Sequence, residues 1–594
     1  MSPSKVEDWI LGVRRFGANS LVDGVLSLAL LLAVGIVPGG LHPPGYSAPV
    51  AFLLLGALFL LSRSLLPLWV ATFAAVVLLR LQPIDTWPDQ TLVQLSSLAS
   101  LLSGHGIYDP ANGLGMSWSI YLPMGSLFAA FPVWFLGAKF WNFFHIAVPA
   151  IYSLPYFVAP SPTTFRLFLG LAAFAPFAAV TGKGSGLELS VAVLIVGFWL
   201  LLRERHLALA AALLAYGALL RQPLLFIVPF VALALVRLRA WRAILVFGGV
   251  LVFGGLVHVL RNPLGFFTAT FGSWADFAEV WFHKLGPRAN FSIASVLAVL
   301  GDPGSTDRGR QPLYLLLLVL AIGGLALVAW RGRSTESAVA CAIVATLLVY
   351  VLNRGFVLFH YLVAAAMPAL AFVAWAPPIA SRGQRNEGGG AIPERILAGG
   401  VAAVIFLLVT TPLVLGAVGE VRSWRPGPGS RLEIASVRQG DRSVDLWIAG
   451  PQDSLPGASP LAGSIRLDTS VPLELGFAKP VVPSELVIQG ARIVPREVEG
   501  VTMIYPIDSE IVGFLRSGRV EGSLDGETWR PVGSFRTWVH PSFYPTRVAL
   551  DTKGEPVRFL RIVDGATWWG EKEWLLGGLS VHTGVSRESP PGAS

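Results

Sequence analysis

Two hydropathy patterns divide the chain. Up to residue 418, long apolar runs alternate with brief polar punctuation; beyond it, short segments alternate apolar and polar residues one by one. Runs of the first kind suit helices that cross a hydrocarbon core of about 30 Å. They predict about thirteen spans, at 20–37, 48–62, 65–82, 140–158, 164–180, 188–202, 207–220, 223–237, 243–260, 312–330, 338–352, 356–376 and 396–418. Read as one helix, 207–237 would be about 45 Å long, so the pattern predicts a hairpin broken at Arg221-Gln222-Pro223.

The second pattern predicts strands. "SIRLDTSVPLELGF", "SELVIQGA", "RVEGSLDGETWRPVGSF", "PVRFLRIV" and "LGGLSVHTG" have the period-two alternation of an all-β sandwich. Asp525-Gly526 predicts a tight hairpin turn. The Pro/Gly/Ser stretch 422–430 reads as a linker. The expected organisation is therefore a membrane domain over 1–421, the linker, and a β-sandwich over 431–594.

Composition sharpens the class. The chain is 54% hydrophobic and 13% charged, against about 25% charged in soluble globular proteins. That excludes an ordinary soluble enzyme and predicts a polytopic helical membrane protein. The net charge of +8 then describes loop topology rather than a nucleic-acid footprint. The single cysteine, Cys341, lies in an apolar run, so no intramolecular disulfide can form and a packing role is expected. The segment 20–37 is long for a cleavable signal and reads as an uncleaved first span.

Charge orients the spans. With a cytoplasmic N-terminus, Arg63, Arg166, Arg203, Arg205, Arg237, Arg239, Arg242, Arg331, Arg333, Arg382, Arg385 and Arg395 all fall inside. Asp85, Asp89, the loop 261–311 and everything after 418 then face outward, from a cell membrane into the periplasm or its equivalent. The cations that break the rule are Lys183, Arg221, Arg261, Lys284, Arg288 and Arg354, near outer ends of spans. Any one of them could snorkel to head groups. As a group facing two carboxylates, they suggest a site for an anionic lipid phosphate beside a carboxylate base. After Asp89, the spacing of Leu92, Leu95, Leu98 and Leu102 predicts an amphipathic helix lying in the interface.

The order of these features resembles the GT-C superfamily of membrane glycosyltransferases, above all the polyprenyl-phosphate-sugar-dependent mannosyl- and arabinofuranosyltransferases. The resemblance covers roughly residues 65–376. It rests on Asp89 opening the first outer loop, with Asp85 as alternate, and on Gly104 and Tyr108 closing a "G-x-x-Y" turn. It also rests on "GKGSGLE" (182–188), "ALLRQPLLFIVPF" (218–230) with Arg221 where the family carries lysine, "RANFSIASVL" (288–297) and "HYLVAAAMPAL" (360–370). It implies an inverting sugar transfer to an acceptor hydroxyl, with Asp89 or Asp85 as base. Lys183, Arg221, Arg261, Arg288 and Arg354 would hold the donor phosphate; His283 and His360 either add a donor or pack. Tyr108 and Glu188 would meet the acceptor, unless Glu188 pairs with Lys183. No clean acidic pair of the "DE" or "D-x-D" kind is present, so a divalent metal is possible but not indicated, and no other cofactor is implied. The implied partners are the polyprenyl-phosphate donor, a cell-envelope glycan or glycolipid acceptor and membrane lipid.

The stretch 463–583 resembles discoidin-type carbohydrate-binding jelly-roll sandwiches, most specifically at "SLDG-x-x-W". Trp538, His540, Tyr544, Trp568 and Trp569 lie in its longer loops, where rings either stack on sugar or pack the domain. A transporter or flippase of lipid-linked glycans is the alternative, and it predicts internal repeats and broken helices; no repeat is found. A polymerase or ligase using pyrophosphate-linked oligosaccharide is a third variant.

Overall fold

The computed structural model describes residues 141–159, 186–267, 310–352, 391–423, 430–444, 465–489, 515–537, 546–567, 572–576 and 578–584. It also describes shorter pieces between 69 and 131, at 164, 168, 270, 297, 300, 496–498 and 501–503. Contacts divide the chain into two compact units, one of Met1–Gln90, Ser119–Phe128 and Trp141–Thr411, the other of Thr91–Trp118, Ala129–Phe140 and Pro412–Ser594.

The described part of the first unit is helical. Three helices in the described residues are long and apolar enough to cross a membrane: Trp241–Arg261, Pro312–Arg331 and Glu394–Val421. Ile146–Val158, Leu189–Leu202, Leu207–Ala218, Gln222–Arg237 and Thr335–Val349 are apolar but shorter. The thirteen expected spans are thus not reproduced. Eight of the apolar runs do land on helices, but five of those helices are below spanning length. The runs 65–82 and 164–180 are described only in fragments, and 20–37, 48–62 and 356–376 lie outside the described residues. The helical unit is apolar on its surface as well as in its core. Leu313, Leu316, Leu320, Leu327 and Trp330 are exposed along one helix, whereas Ser153, Ser190 and Thr346 are buried. Exposed apolar surface on this scale is stable against hydrocarbon rather than water. The buried hydroxyls of Ser153 and Thr346 donate back to the carbonyls of Pro149 and Ala342, at 2.8 and 3.0 Å, so no water is needed to satisfy them.

The helices are joined by tight polar turns. Gly186–Leu202 passes to Leu207–Ala218 through Glu204 at φ 53°. The Glu204 and Arg205 amides donate there to Leu201 and Leu200 carbonyls, both at 3.1 Å. Arg239, at φ 51°, closes Val228–Arg237 in the same way. Left-handed backbone at such ends normally selects glycine, and a side chain there costs about 1–2 kcal/mol. The charged residues retained at these turns belong to the arginine-rich loops of the charge pattern. Arg237 also stitches two helices together, donating to the carbonyls of Ala329, Trp330 and Ser334 and to the Ser337 hydroxyl. His206 Nε2 sits 2.7 Å from Glu394 Oε1, tying the 203–206 turn to the start of the helix Ala391–Ser423.

In the second unit the predicted interfacial helix is described at 97–98 and 100–102, and it differs from expectation. Leu98, Leu101 and Leu102 are buried, but so are Ser97 and Ser100. A glycine notch receives the end of the segment. Gly416 and Gly419 lie one turn apart, and a side chain at Gly419 would collide with the Leu101 and Gly104 backbone. The segment is therefore packed on protein along both its polar and its apolar faces. Gly104, at φ 82°, ends it: its amide donates to Leu101 and the His105 amide to Ser100, at 3.1 and 2.9 Å. This is the paired C-terminal cap that glycine permits.

The expected β-rich region follows. The helix Ala391–Ser423 runs two residues into the predicted linker, five beyond the end of the apolar run. One antiparallel sheet orders β1 (Arg431–Leu432), β14 (Gly578–His582), β6 (Glu485–Gln489) and β11 (Thr546–Ala549). The other orders β10 (Arg530–Arg536), β9 (Leu515–Ser523), β12 (Val557–Thr567), β5 (Leu473–Val481), β2 (Ser436–Gln439) and β3 (Arg442–Ser443). β4 (Ile465–Asp468) pairs with β13 (Glu573–Leu576), and β7 (Arg496–Val498) with β8 (Val501–Met503), both antiparallel. Leu486, Ile488, Val548 and Val581 from the first sheet join Leu475, Phe477, Val520, Leu560 and Ile562 from the second in one buried core. The Asp-Gly turn is not the tight hairpin expected. Residues 524–529 intervene between β9 and β10, because the Asp525 carboxylate accepts from the Glu527 and Thr528 amides and the Ser523 hydroxyl, at 2.8, 2.8 and 2.9 Å. Those bonds stabilise the ionised carboxylate and hold Asp525 well below the usual carboxylate range.

Candidate functional site

Arg221 marks the place where the first unit departs most from regular structure. The helix Leu207–Ala218 stops, Arg221 is extended (φ −143°, ψ 142°), and a 3₁₀ turn runs Gln222–Ile227 before Val228–Arg237. The predicted break is present, and its cause is local: Pro223 lacks an amide, and its ring would clash with the Leu219 carbonyl one turn back, so the α-helix cannot continue through it. Arg221 is 6% exposed and Gln222 is buried with it. A snorkelling arginine keeps its head in water. Arg221 instead puts a permanent charge among apolar helices.

Two further irregular elements meet this break. Within Trp241–Arg261 the α-helix gives way to a π turn at Val252–Leu256 before Val257–Arg261 resumes. The faces of Gly254 and Gly255 lie against the Leu219 side chain, and Gly254 also lies against Met124. Met124 belongs to the short helix Pro123–Leu127, whose Gly125 amide donates to the Leu219 carbonyl at 3.2 Å. A broken helix, a π turn and a one-turn helix thus converge around Leu219, two residues before the buried guanidinium. Irregular backbone among apolar helices requires protein or polar partners, and π turns recur at functional sites.

The node contains residues that the sequence reading did not single out. His258 follows Gly254 and Gly255 by one turn and is 5% exposed. Its Nε2 has no hydrogen-bond partner among the described residues. The same holds for the Tyr216 hydroxyl, in the last turn before the break. A buried polar atom left unsatisfied costs about 1–3 kcal/mol. The available signal was a histidine inside "VFGGLVHVLR", beside a glycine pair that admits a neighbouring backbone.

The other expected site residues are distributed unevenly. Arg261 is exposed, one turn beyond His258. Glu188 lies in the first turn of Gly186–Leu202. Tyr108 is fully buried in the second unit, so its ring takes part in packing. Asp85, Asp89, Lys183, His283, Arg288, Arg354 and His360 lie outside the described residues, as do Trp538, His540, Tyr544, Trp568 and Trp569. Among the described residues, no group of three His, Cys, Asp or Glu side chains is placed to hold a metal.

The outer face of the larger sheet carries a charge ladder. Glu521 on β9, almost buried, accepts from Arg561 at 2.8 Å and Arg519 at 3.1 Å, and Arg519 reaches Asp564 at 3.1 Å. The Arg561 guanidinium lies 4.2 Å from the centre of the Trp529 ring. Trp529 in turn donates to the Gly526 carbonyl at 3.0 Å. The ladder pins the "SLDGETW" loop to the sheet. Comparison with models of known protein families and with curated proteins finds no match for this chain.

Proposed function

We propose that the protein is an integral-membrane, inverting glycosyltransferase that moves a sugar from a polyprenyl-phosphate donor to a cell-envelope glycan or glycolipid on the outer face of the membrane. The observation that carries this reading is Arg221, a guanidinium 6% exposed at a helix break among apolar helices. A guanidinium held there supports the reading, because its fork matches the oxygens of a phosphate that arrives within a lipid. In the proposed reaction the acceptor hydroxyl attacks the anomeric carbon while its proton passes to Asp89, with Asp85 the alternate base. The anomeric C–O bond to phosphate breaks, and polyprenyl phosphate leaves with the electron pair. Arg221, with Arg261, Lys183, Arg288 and Arg354, stabilises the charge that develops on that phosphate. The β-rich region holds polymeric acceptor through Trp538, Tyr544, Trp568 and Trp569. The testing experiment offers the purified protein a panel of radiolabelled polyprenyl-phosphate sugars with candidate glycan acceptors.

A second reading, a transporter of lipid-linked glycans, is favoured by one observation: broken helices such as those at Arg221 and Val252–Leu256 build substrate sites in transporters. Translocation of a labelled lipid-linked glycan across proteoliposomes, without any sugar transfer, would select it.

A further inference from the structure

We infer that His258 is part of the same anion site, its Nε2 a ligand of the phosphate ester of a long-chain lipid, alongside Arg221. The inference rests on the reading of Arg221 as the phosphate anchor, but a separate observation carries it. His258 is 5% exposed and its Nε2 has no partner among the described residues. A packing histidine is normally satisfied by a carbonyl or hydroxyl of its own fold, because a buried orphan costs about 1–3 kcal/mol.

Placement joins His258 to Arg221. Residues three and four apart share a helix face, so His258 continues the face of Gly254 and Gly255, which packs on Leu219. Leu219 precedes Arg221 by two residues, across the break. The π turn gives this stretch one more residue per turn than the α-helix on either side, re-aiming the face that His258 occupies. Arg261, one further turn on, is near enough for its charge to act on the imidazole. The chemistry gathered is thus a guanidinium, an imidazole nitrogen lacking a partner, the buried Gln222 amide and a second guanidinium at the exposed edge. Such a set of nitrogen donors suits an oxyanion better than a metal ion or a neutral sugar. As an N–H donor, Nε2 would bond one phosphate oxygen and so fix the orientation of the ester.

The test measures binding of polyprenyl monophosphate, without sugar, to the full chain in nanodiscs, with phosphatidylglycerol and inorganic phosphate as parallel probes. His258→Gln keeps an N–H donor near the Nε2 position and should bind within about threefold of wild type, whereas His258→Phe should weaken binding about 10- to 100-fold. Inorganic phosphate competing at equal concentration would show the site to be generic for phosphate and overturn assignment to a long-chain ester, whereas competition by phosphatidylglycerol alone would leave a lipid phosphate as the ligand and refute the polyprenyl-donor reading. Equal affinities in wild type and His258→Phe would overturn the inference, whatever the transfer assay shows. Wild-type binding that depends on His258 without any sugar transfer would leave the inference standing and refute the glycosyltransferase reading. Should His258→Phe fail to fold, wild type is labelled with a polyprenyl phosphate carrying a diazirine beside the phosphate. Crosslinks within residues 252–262 are expected, and their absence contradicts the assignment.

Discussion

Replacing Arg221 by methionine separates a ligand-binding cation from a structural one, because the two roles move stability and affinity differently. The side chain is 6% exposed at a junction between a helix that has ended and a 3₁₀ turn that has begun. A hydrogen bond to a charged group contributes about 1.5–3 kcal/mol. Loss of a two-pronged phosphate contact, reckoned at about 3 kcal/mol, raises the donor KM roughly 100-fold. Stability responds differently. Replacing a whole buried ion pair by apolar side chains is often neutral or stabilising by about 1–4 kcal/mol, whereas removing one partner of a structural pair costs about 3–5 kcal/mol; only a bound ligand adds stability that depends on its concentration. The expected outcome for Arg221→Met is therefore a large rise in donor KM, an acceptor KM close to wild type, and a thermal midpoint that added donor no longer raises. Initial rates with labelled donor in nanodiscs give the first two, and tryptophan fluorescence on heating gives the third. Arg221→Lys keeps the charge without the planar fork and should lie between the two. A midpoint that falls steeply while donor KM stays at the wild-type value would refute the reasoning.

Glu521→Gln removes the negative centre of the Arg519–Glu521–Arg561 ladder. Because Arg519 is half exposed, the expected cost is held to about 2 kcal/mol, below that of a fully buried pair; an unshifted unfolding midpoint would contradict it. Asp525 is held below its ordinary range by the amides of Thr528 and Glu527 and the Ser523 hydroxyl. A depressed folded value makes its contribution full above about pH 4 and lost as pH falls through the folded value. Asp525→Asn should therefore flatten the acid limb of the stability profile of the β-rich region, and an identical limb in the variant would show the turn to be neutral. Deleting residues 431–594 should spare activity on a short soluble acceptor and reduce it on a polymeric one, through lost effective concentration. A parallel loss of both would assign the β-rich region to the catalytic cleft, and no change in either would end its assignment to glycan binding.

What was legible in the sequence was mostly local. The break at Arg221 followed from the excess length of 207–237 and from Pro223, both visible within one segment, and the strands followed from alternation along β5, β9 and β12. The misses needed distant information or competing local chemistry. Ser97 and Ser100 read as the wet face of an interfacial helix, yet they are buried near a notch made by Gly416 and Gly419, some 320 residues away in sequence. Asp525-Gly526 read as a two-residue turn, but the Asp525 carboxylate competes for backbone amides and opens a longer loop. The orphan nitrogen of His258 is invisible to periodicity, because one histidine in an apolar run scores only as an interruption. Of the eight apolar runs that land on described helices, only three make helices long enough to cross a membrane, because hydropathy registers apolar character rather than helix length.

The most direct measurement is sugar transfer itself, by wild type and by Asp89→Asn, from a panel of radiolabelled polyprenyl-phosphate sugars. The expected result is label moved from one such donor to a glycan acceptor by wild type, with inverted anomeric configuration. Transfer should be abolished in Asp89→Asn while binding of the unreacted donor persists. Active Asp89→Asn beside inactive Asp85→Asn would move the base to Asp85. Wild-type protein that binds polyprenyl phosphate yet transfers none of the sugars, while carrying a lipid-linked glycan across the bilayer, would contradict the glycosyltransferase reading outright.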